Sequence, residues 1–237
     1  MTDTVTHNAP YFGFLRRRRD FISAHSASDS IEAYVVWGAA MAALSRIHAR
    51  RKGRSLKLDR RCFTEALHEL LPMRGLSRVS IPLLAHELDC ANEATLLGTP
   101  PFSTYLAAVA QSRIWRAEED TPYQNVASLA SSTKLHRRLF ERNRYSEILY
   151  EEYRCCAVHG LELGQKTYSL QDASSGPTYM NYIYLSDDQR SKNQRYRTRL
   201  CFPIGFLAGL LGEAVDAEEQ QSADARFCIP EYPTLDD

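Results

Sequence analysis

Apolar residues recur at intervals of three and four along most of this chain, the pattern of helices that bury one face. Ala33, Val36, Ala40, Ala43, Leu44 and Ile47 predict a helix over about 30–52. Ser28 or Asp29 would cap it, Glu32 faces its N-terminal dipole, and Gly53 ends it. Asp59 caps a second helix in which Phe63, Ala66, Leu67 and Leu70 share a face, stopped at Leu71-Pro72. A third is expected over 79–97 on Ile81, Leu84, Ala85 and Leu88, closed by Gly98-Thr99-Pro100-Pro101. Residues 102–115 are apolar and alanine-rich enough for a fourth, whereas the pattern from Thr121 assigns no element. The longest helix is predicted over 134–163, with Leu135, Leu139, Tyr145, Leu149, Tyr153 and Cys156 as its stripe and Gly160 and Gly164 as terminators. The period then changes. Residues 166–170 and 178–185 are β-rich and flank the turn residues 172–177, which predicts a β-hairpin over about 166–185. A last apolar helix is expected from Pro203 to about Glu219.

The expected fold class is therefore mainly α: a helical bundle with a β-hairpin inserted before the last helix. Residues 1–27 read as a partly flexible lead-in, since Asn8-Ala9-Pro10 breaks the pattern and the arginine run 16–19 looks like solvated charge. The domain then spans 28–222, and 223–237 forms an acidic C-terminal tail. No internal repeat is visible.

Composition narrows the class further. Hydrophobic residues make up 44% and charged residues 24%, the balance of a chain that buries a core. No apolar run reaches the roughly 20 residues of a membrane-spanning helix, and no secretory signal opens the chain, so a cytoplasmic location without membrane is expected. The six cysteines lack the paired short spacings of a zinc site and read as reduced. Net charge is zero but uneven. Over residues 1–78 the basic residues outnumber the acidic roughly two to one, while the chain from Glu213 onward is almost purely acidic. The excess of arginine over lysine fits either phosphate recognition or an arginine-biased genome.

Familiar catalytic motifs are missing: the sequence has no Gly-rich phosphate loop, HExxH, GxSxG or calcium loop. His68-Glu69 and His86-Glu87 each lack a second histidine, so neither metal nor other cofactor is expected. What remains is the segment Tyr150-Glu151-Glu152-Tyr153-Arg154-Cys155-Cys156-Ala157-Val158-His159-Gly160. Of the seven histidines, His159 alone follows an arginine by five positions, and it does so on the strongest predicted helix.

Here the chain resembles the HEPN superfamily, whose identifying motif is an arginine, four residues and a histidine on a helix of a small bundle. It departs from that pattern in two places. Cys155 stands where the family often has asparagine or another polar residue, and Leu161 where one toxin branch has tyrosine. The resemblance implies a metal-independent endoribonuclease in which Arg154 stabilises charge on the phosphate and His159 moves the proton of the 2′-hydroxyl or of the leaving oxygen. It also implies a toxin or antiviral defence effector, RNA as partner, and a regulatory or antitoxin partner.

Five residues along a regular helix turn through about 140°, so Arg154 and His159 do not share a face unless the helix distorts or ends near Gly160. A homodimer in which two such helices form one cleft is the other solution the family implies. Glu152, seven residues before His159, and Tyr150 are candidate supporting residues. The polar stretch carrying Arg190, Lys192, Arg195, Arg197 and Arg199 either tracks an RNA backbone or is a solvated loop. A plainer account of the pair is also open: Arg154 in a surface ion pair with Glu151 or stacked on Tyr150, and His159 capping the helix C-terminus. The corresponding function is a non-catalytic, HEPN-like RNA- or protein-binding module, a subunit of a larger complex.

Overall fold

A computed structural model describes residues 3–27, 30–130, 133–169, 176–181 and 198–229. The chain is mainly helical, as its periodicity predicts. In order the helices are α1 (Asp3–Ala24), α2 (Ile31–Arg51), α3 (Asp59–Leu70), α4 (Ile81–Cys90), α5 (Ala94–Leu97), α6 (Phe102–Ala110), α7 (Tyr123–Ala130), α8 (Lys134–Arg142), α9 (Tyr145–Ile148), a π-helical turn (Leu149–Cys155), α10 (Cys156–Gly160) and α11 (Ile204–Asp224). Two small antiparallel sheets complete it: β1 (Arg78–Val79) with β2 (Thr121–Pro122), and β3 (Thr178–Asn181) with β4 (Thr198–Cys201).

The larger core lies around α2, which packs against α1, α3, α11, the π turn and α10. That central place explains why Tyr34, Trp37, Met41, Leu44 and Ile47 are all buried: neighbours surround the helix on more than one side. A second core gathers Val79, Leu84, Leu88, Phe102, Trp115, Val126 and Phe140 from α4, α6, α7, α8 and their connections. The Asp120 carboxylate fastens the two together. Its Oδ1 accepts Trp115 Nε1 (3.0 Å) and the Ile81 backbone N–H at the start of α4 (3.1 Å). Its Oδ2 accepts the Tyr145 hydroxyl (2.6 Å) and that of Tyr179, which packs against both cores and lies 2.7 Å from Ser80 Oγ.

Several sequence expectations need correction. The supposed lead-in is α1, whose Phe12, Leu15 and Ile22 share a face and are fully buried against α2 and α11. Its arginine run is partly paired rather than solvated: Arg16 meets Asp216 (2.7 Å) and Glu219 on α11. Asn8 clamps the end of the chain, donating to Phe227 O (2.6 Å) and accepting from Ile229 N–H (2.9 Å). The N-cap of α2 is Ser30, whereas Ser28 and Asp29 lie outside the described residues. Asp59 is the first residue of α3 and makes no cap.

The helix expected over 134–163 breaks at Asn143. There the buried side-chain amide donates to Leu139 O (2.8 Å), taking the carbonyl that continued α-helix would assign to a backbone N–H four residues on. The chain turns out to an extended Arg144 and restarts as α9. The hairpin before the last helix is present, but β3 pairs with β4 rather than with residues 166–170. Leu200 N–H does reach Lys166 O (2.9 Å), so 166 lies beside β4 without joining the sheet. Likewise, α4 ends at Cys90, α6 ends at Ala110, and the unassigned stretch from Thr121 contains α7.

Candidate functional site

Arg154 and His159 come together. Arg154 sits near the end of the π turn and His159 near the exposed end of α10; Nη1 of the arginine lies 3.5 Å from Nε2 of the histidine, long for a hydrogen bond. The helix is indeed distorted between them: Cys156 N–H donates to Glu151 O, five residues back, where a regular helix would reach four. After His159 the chain ends its helix on Leu161, which adopts the left-handed conformation at φ 53°. The π turn is held against α2 by a close approach at Gly38. A Cβ there would stand 3.2 Å from Arg154 Cα and 3.3 Å from a Val158 methyl.

The arginine is largely enclosed, with 17% of its side chain exposed. Its Nη2 pairs with Asp59 Oδ2 at 2.7 Å, and its guanidinium lies over the Tyr150 ring at 5.4 Å. The Tyr150 hydroxyl donates to the same Asp59 oxygen at 3.3 Å. Nη1 also approaches Cys155 Sγ at 3.6 Å, and Nε is buried without a hydrogen-bond partner. Burial opposes the charge, but Cys155 and Asp59 outweigh it and hold the guanidinium pKa above its usual value. Burial, with Cys155 and Asp59 behind it, raises the Tyr150 phenol well above its usual value.

Tyr150 thus lies directly beside Arg154 and Asp59. Glu152 is engaged elsewhere: its carboxylate accepts the Lys166 backbone N–H (3.1 Å) and its carbonyl the Gly164 N–H (3.1 Å), in a groove it shares with Arg142 and Lys166. A Cβ at Gly164 would collide with that carboxylate, which explains a glycine there. Enclosure raises the Glu152 pKa. The seven-residue spacing from His159 fails to align the two because the π turn lies inside it. Glu151 pairs with Arg60 Nη1 (3.0 Å), not with Arg154. The residue missed from sequence is Asp59. Its position before an apolar stripe reads as a helix cap, and only the packing of α3 beside the π turn brings it to Arg154.

Of the basic stretch, Arg190, Lys192, Arg195 and Arg197 lie outside the described residues. Arg199, on β4, donates to Thr167 O (3.3 Å) and stands 5.9 Å from the Tyr168 ring. It lines a cavity of about 320 Å³ with Tyr34, Leu161 and Tyr168. A buried polar cluster around Asn143 was also not foreseen. Lys166 Nζ contacts Glu87 (2.9 Å) and Asn143 Oδ1 (3.0 Å), and Asn143 Nδ2 donates to Glu87 (2.6 Å). All three are at most 6% exposed, so the cluster is a mutually satisfied lock between α4, α8 and the strand-side loop.

Among the described residues no group of histidine, cysteine and carboxylate side chains has the makings of a metal site, and no helix is long and apolar enough to cross a membrane. No family model, curated protein or solved structure matches the chain.

Proposed function

We propose that the chain is a metal-independent endoribonuclease of HEPN type, acting in the cytoplasm as a toxin or defence effector. The observation that carries this reading is the 3.5 Å approach of Arg154 to His159 at an exposed helix end. In the proposed reaction the ribose 2′-oxygen attacks its neighbouring phosphorus and the P–O5′ bond breaks. His159 moves the proton between these oxygens, and Arg154 neutralises charge on the non-bridging oxygens. The products are a 2′,3′-cyclic phosphate and a 5′-hydroxyl, which excludes DNA as substrate. A homodimer that sets two such pairs in one cleft belongs to the same proposal, as does a partner that restrains the activity.

One observation favours a second reading. Asp59 already occupies Nη2 of Arg154, so the pair as it stands presents a neutralised guanidinium. A module that binds RNA or protein without cutting would be content with that arrangement; a ribonuclease must exchange the carboxylate for phosphate.

The deciding experiment incubates labelled RNA in EDTA with the parent protein, Arg154→Ala and His159→Ala, with folding checked by circular dichroism and product ends identified. Cleavage by the parent alone, leaving cyclic phosphate, supports the ribonuclease. Absence of cleavage, or equal cleavage by all three, selects the binding module.

A further inference from the structure

We infer that the exposed face of α2 beyond the Arg154–His159 pair, carrying Arg46 and Arg50 with Lys57 beside it, is a track for the phosphate backbone of single-stranded RNA. RNA as the occupant rests on the function proposed above; the position of the track and its charge do not.

Position follows from the helix. Ala39, Ala43, Arg46 and Arg50 recur at spacings of four, three and four and so share one face of α2. Gly38, next to Ala39, lies against Arg154; Arg46 stands about 12 Å further along the axis and Arg50 about 18 Å. A second line of contacts leads the same way. Arg154 Nη2 meets Asp59 at the start of α3 (2.7 Å), and Cys62, one turn on, is close to both Asp59 and Arg46: burial raises its thiol pKa, Asp59 and Glu65 add to the rise, and Arg46 opposes it. Cys62 Sγ also donates to Ser55 O (3.4 Å), which brings the connection holding Lys57 to this side. The floor between the pair and Arg46 is alanine, with Ala39 exposed and Ala43 half-buried, low enough for a sugar–phosphate chain to lie on.

Charge decides the occupant. Between Arg46 and Glu69 the chain has eight arginines and lysines and three carboxylates. Each of those carboxylates is taken: Asp59 by Arg154, Glu65 by Arg54 (3.0 Å) and Arg61 (2.7 Å), Glu69 by Arg54 (2.7 Å) and Lys52 (3.3 Å). Arg51 and Arg60 turn to Glu218 and Glu147. Among the described residues the side chains of Arg46, Arg50 and Lys57 meet no carboxylate, and all three are exposed. Unanswered cations that continue from an arginine–histidine pair suit a polyanion whose charges also come in a row. Such contacts hold the strand in place and carry no base preference.

The test follows the fluorescence anisotropy of labelled single-stranded RNA, about twelve uridines long, with the full-length His159→Ala protein at several salt concentrations. Arg46→Gln, Arg50→Gln and Lys57→Gln together should weaken binding on the order of ten-fold or more at low salt and make the plot of log affinity against log salt shallower by about 2, at roughly 0.7 per phosphate contact. An adenosine strand should lose as much as the uridine one. The control removes equal charge from exposed positions of α8, Lys134→Gln, Arg137→Gln and Arg138→Gln, and should change little; circular dichroism verifies both folds. Equal loss in both variants, an unchanged slope in the first, or no binding of RNA before the track is altered overturns the inference. Loss of binding to phosphatidylserine vesicles with RNA unaffected assigns the face to an anionic membrane and overturns it too. Cleavage by the parent in EDTA, with RNA binding indifferent to the track, leaves the ribonuclease standing alone; track-dependent binding with no cleavage upholds the track and defeats the ribonuclease.

Discussion

Gly38 of α2 lies against the main chain of Arg154, close enough that a Cβ would come within 3.2 Å of Arg154 Cα. The absent side chain lets the π turn settle onto the central helix and so fixes where the arginine emerges. Gly38→Val should cost about 1–3 kcal/mol through overpacking and also depress any activity of Arg154. Gly209, on the exposed side of α11, is the control, because a Cβ there would meet nothing within 4 Å. Gly209→Ala should stabilise by roughly 0.5–1 kcal/mol. Urea denaturation of both variants checks the pair of expectations, and a neutral Gly38→Val would show that the contact is slack.

Replacing the carboxylate at Arg154 should free the guanidinium for phosphate. Asp59→Asn is expected to tighten RNA binding several-fold at low salt and to steepen the plot of log affinity against log salt by about 0.7–0.9, the slope of one added phosphate contact. Anisotropy at three salt concentrations measures both. Weaker binding with an unchanged slope would mean that Asp59 orients Arg154 instead of competing for it.

Burial raises the Asp120 carboxyl to about 6 against the pull of its hydrogen bonds from Tyr145, Tyr179, Trp115 and Ile81. Between about pH 4 and 6 the folded chain then holds this proton while the unfolded chain has lost it, so stability falls as pH rises through that window. Two pH units correspond to roughly 3 kcal/mol, and the effect should vanish in Asp120→Asn. The informative quantity is the stability difference between parent and variant at pH 4 and pH 6.5. A difference that does not change with pH refutes the assignment.

Glu218 behaves in the opposite sense. Burial alone would raise its pKa, but Arg51 (2.6 Å) and His48 (2.7 Å) prevail and lower it. Its contribution is complete above the unfolded value of about 4.3 and is lost as pH falls through the lower folded value. Glu69, which burial pushes up but Arg54, His48 and Lys52 together draw down to about 2, extends the same loss to lower pH. Glu218→Gln should cost about 3–5 kcal/mol at pH 7, because it leaves Arg51 with a buried, unanswered charge, and should flatten the acid limb of the stability curve. Denaturation from pH 7 down to pH 2.5 tests it.

What local periodicity governs was legible in the sequence. The stripe Phe63 to Leu70 names the buried face of α3, because a helix with one apolar side has only one way to hide it, and the stripe Ala33 to Ile47 names part of what α2 buries. The polarity of the charge distribution was also visible, though not its meaning: Glu213, Asp216, Glu218 and Glu219 on α11 pair with Arg74, Arg16, Arg51 and His48 from the basic first third. The Arg154–His159 spacing stood out for the same reason, as a pattern within one helix.

The rest came from packing. Phe12, Leu15 and Ile22 fall in the stretch that reads as a lead-in, and α2 and α11 supply the surface that buries them. Asn143 ended a helix that periodicity would have continued, with its side chain bonded at once to Leu139 O, Glu87 and Lys166. The contact of Gly38 with Arg154, the carboxylate of Asp59 on that arginine and the pairing of β3 with β4 join separate stretches of the chain. Hydrophobic spacing says which face is buried; the neighbour that face meets, and the charge that meets an arginine there, depend on contacts between elements that no single stretch of sequence encodes.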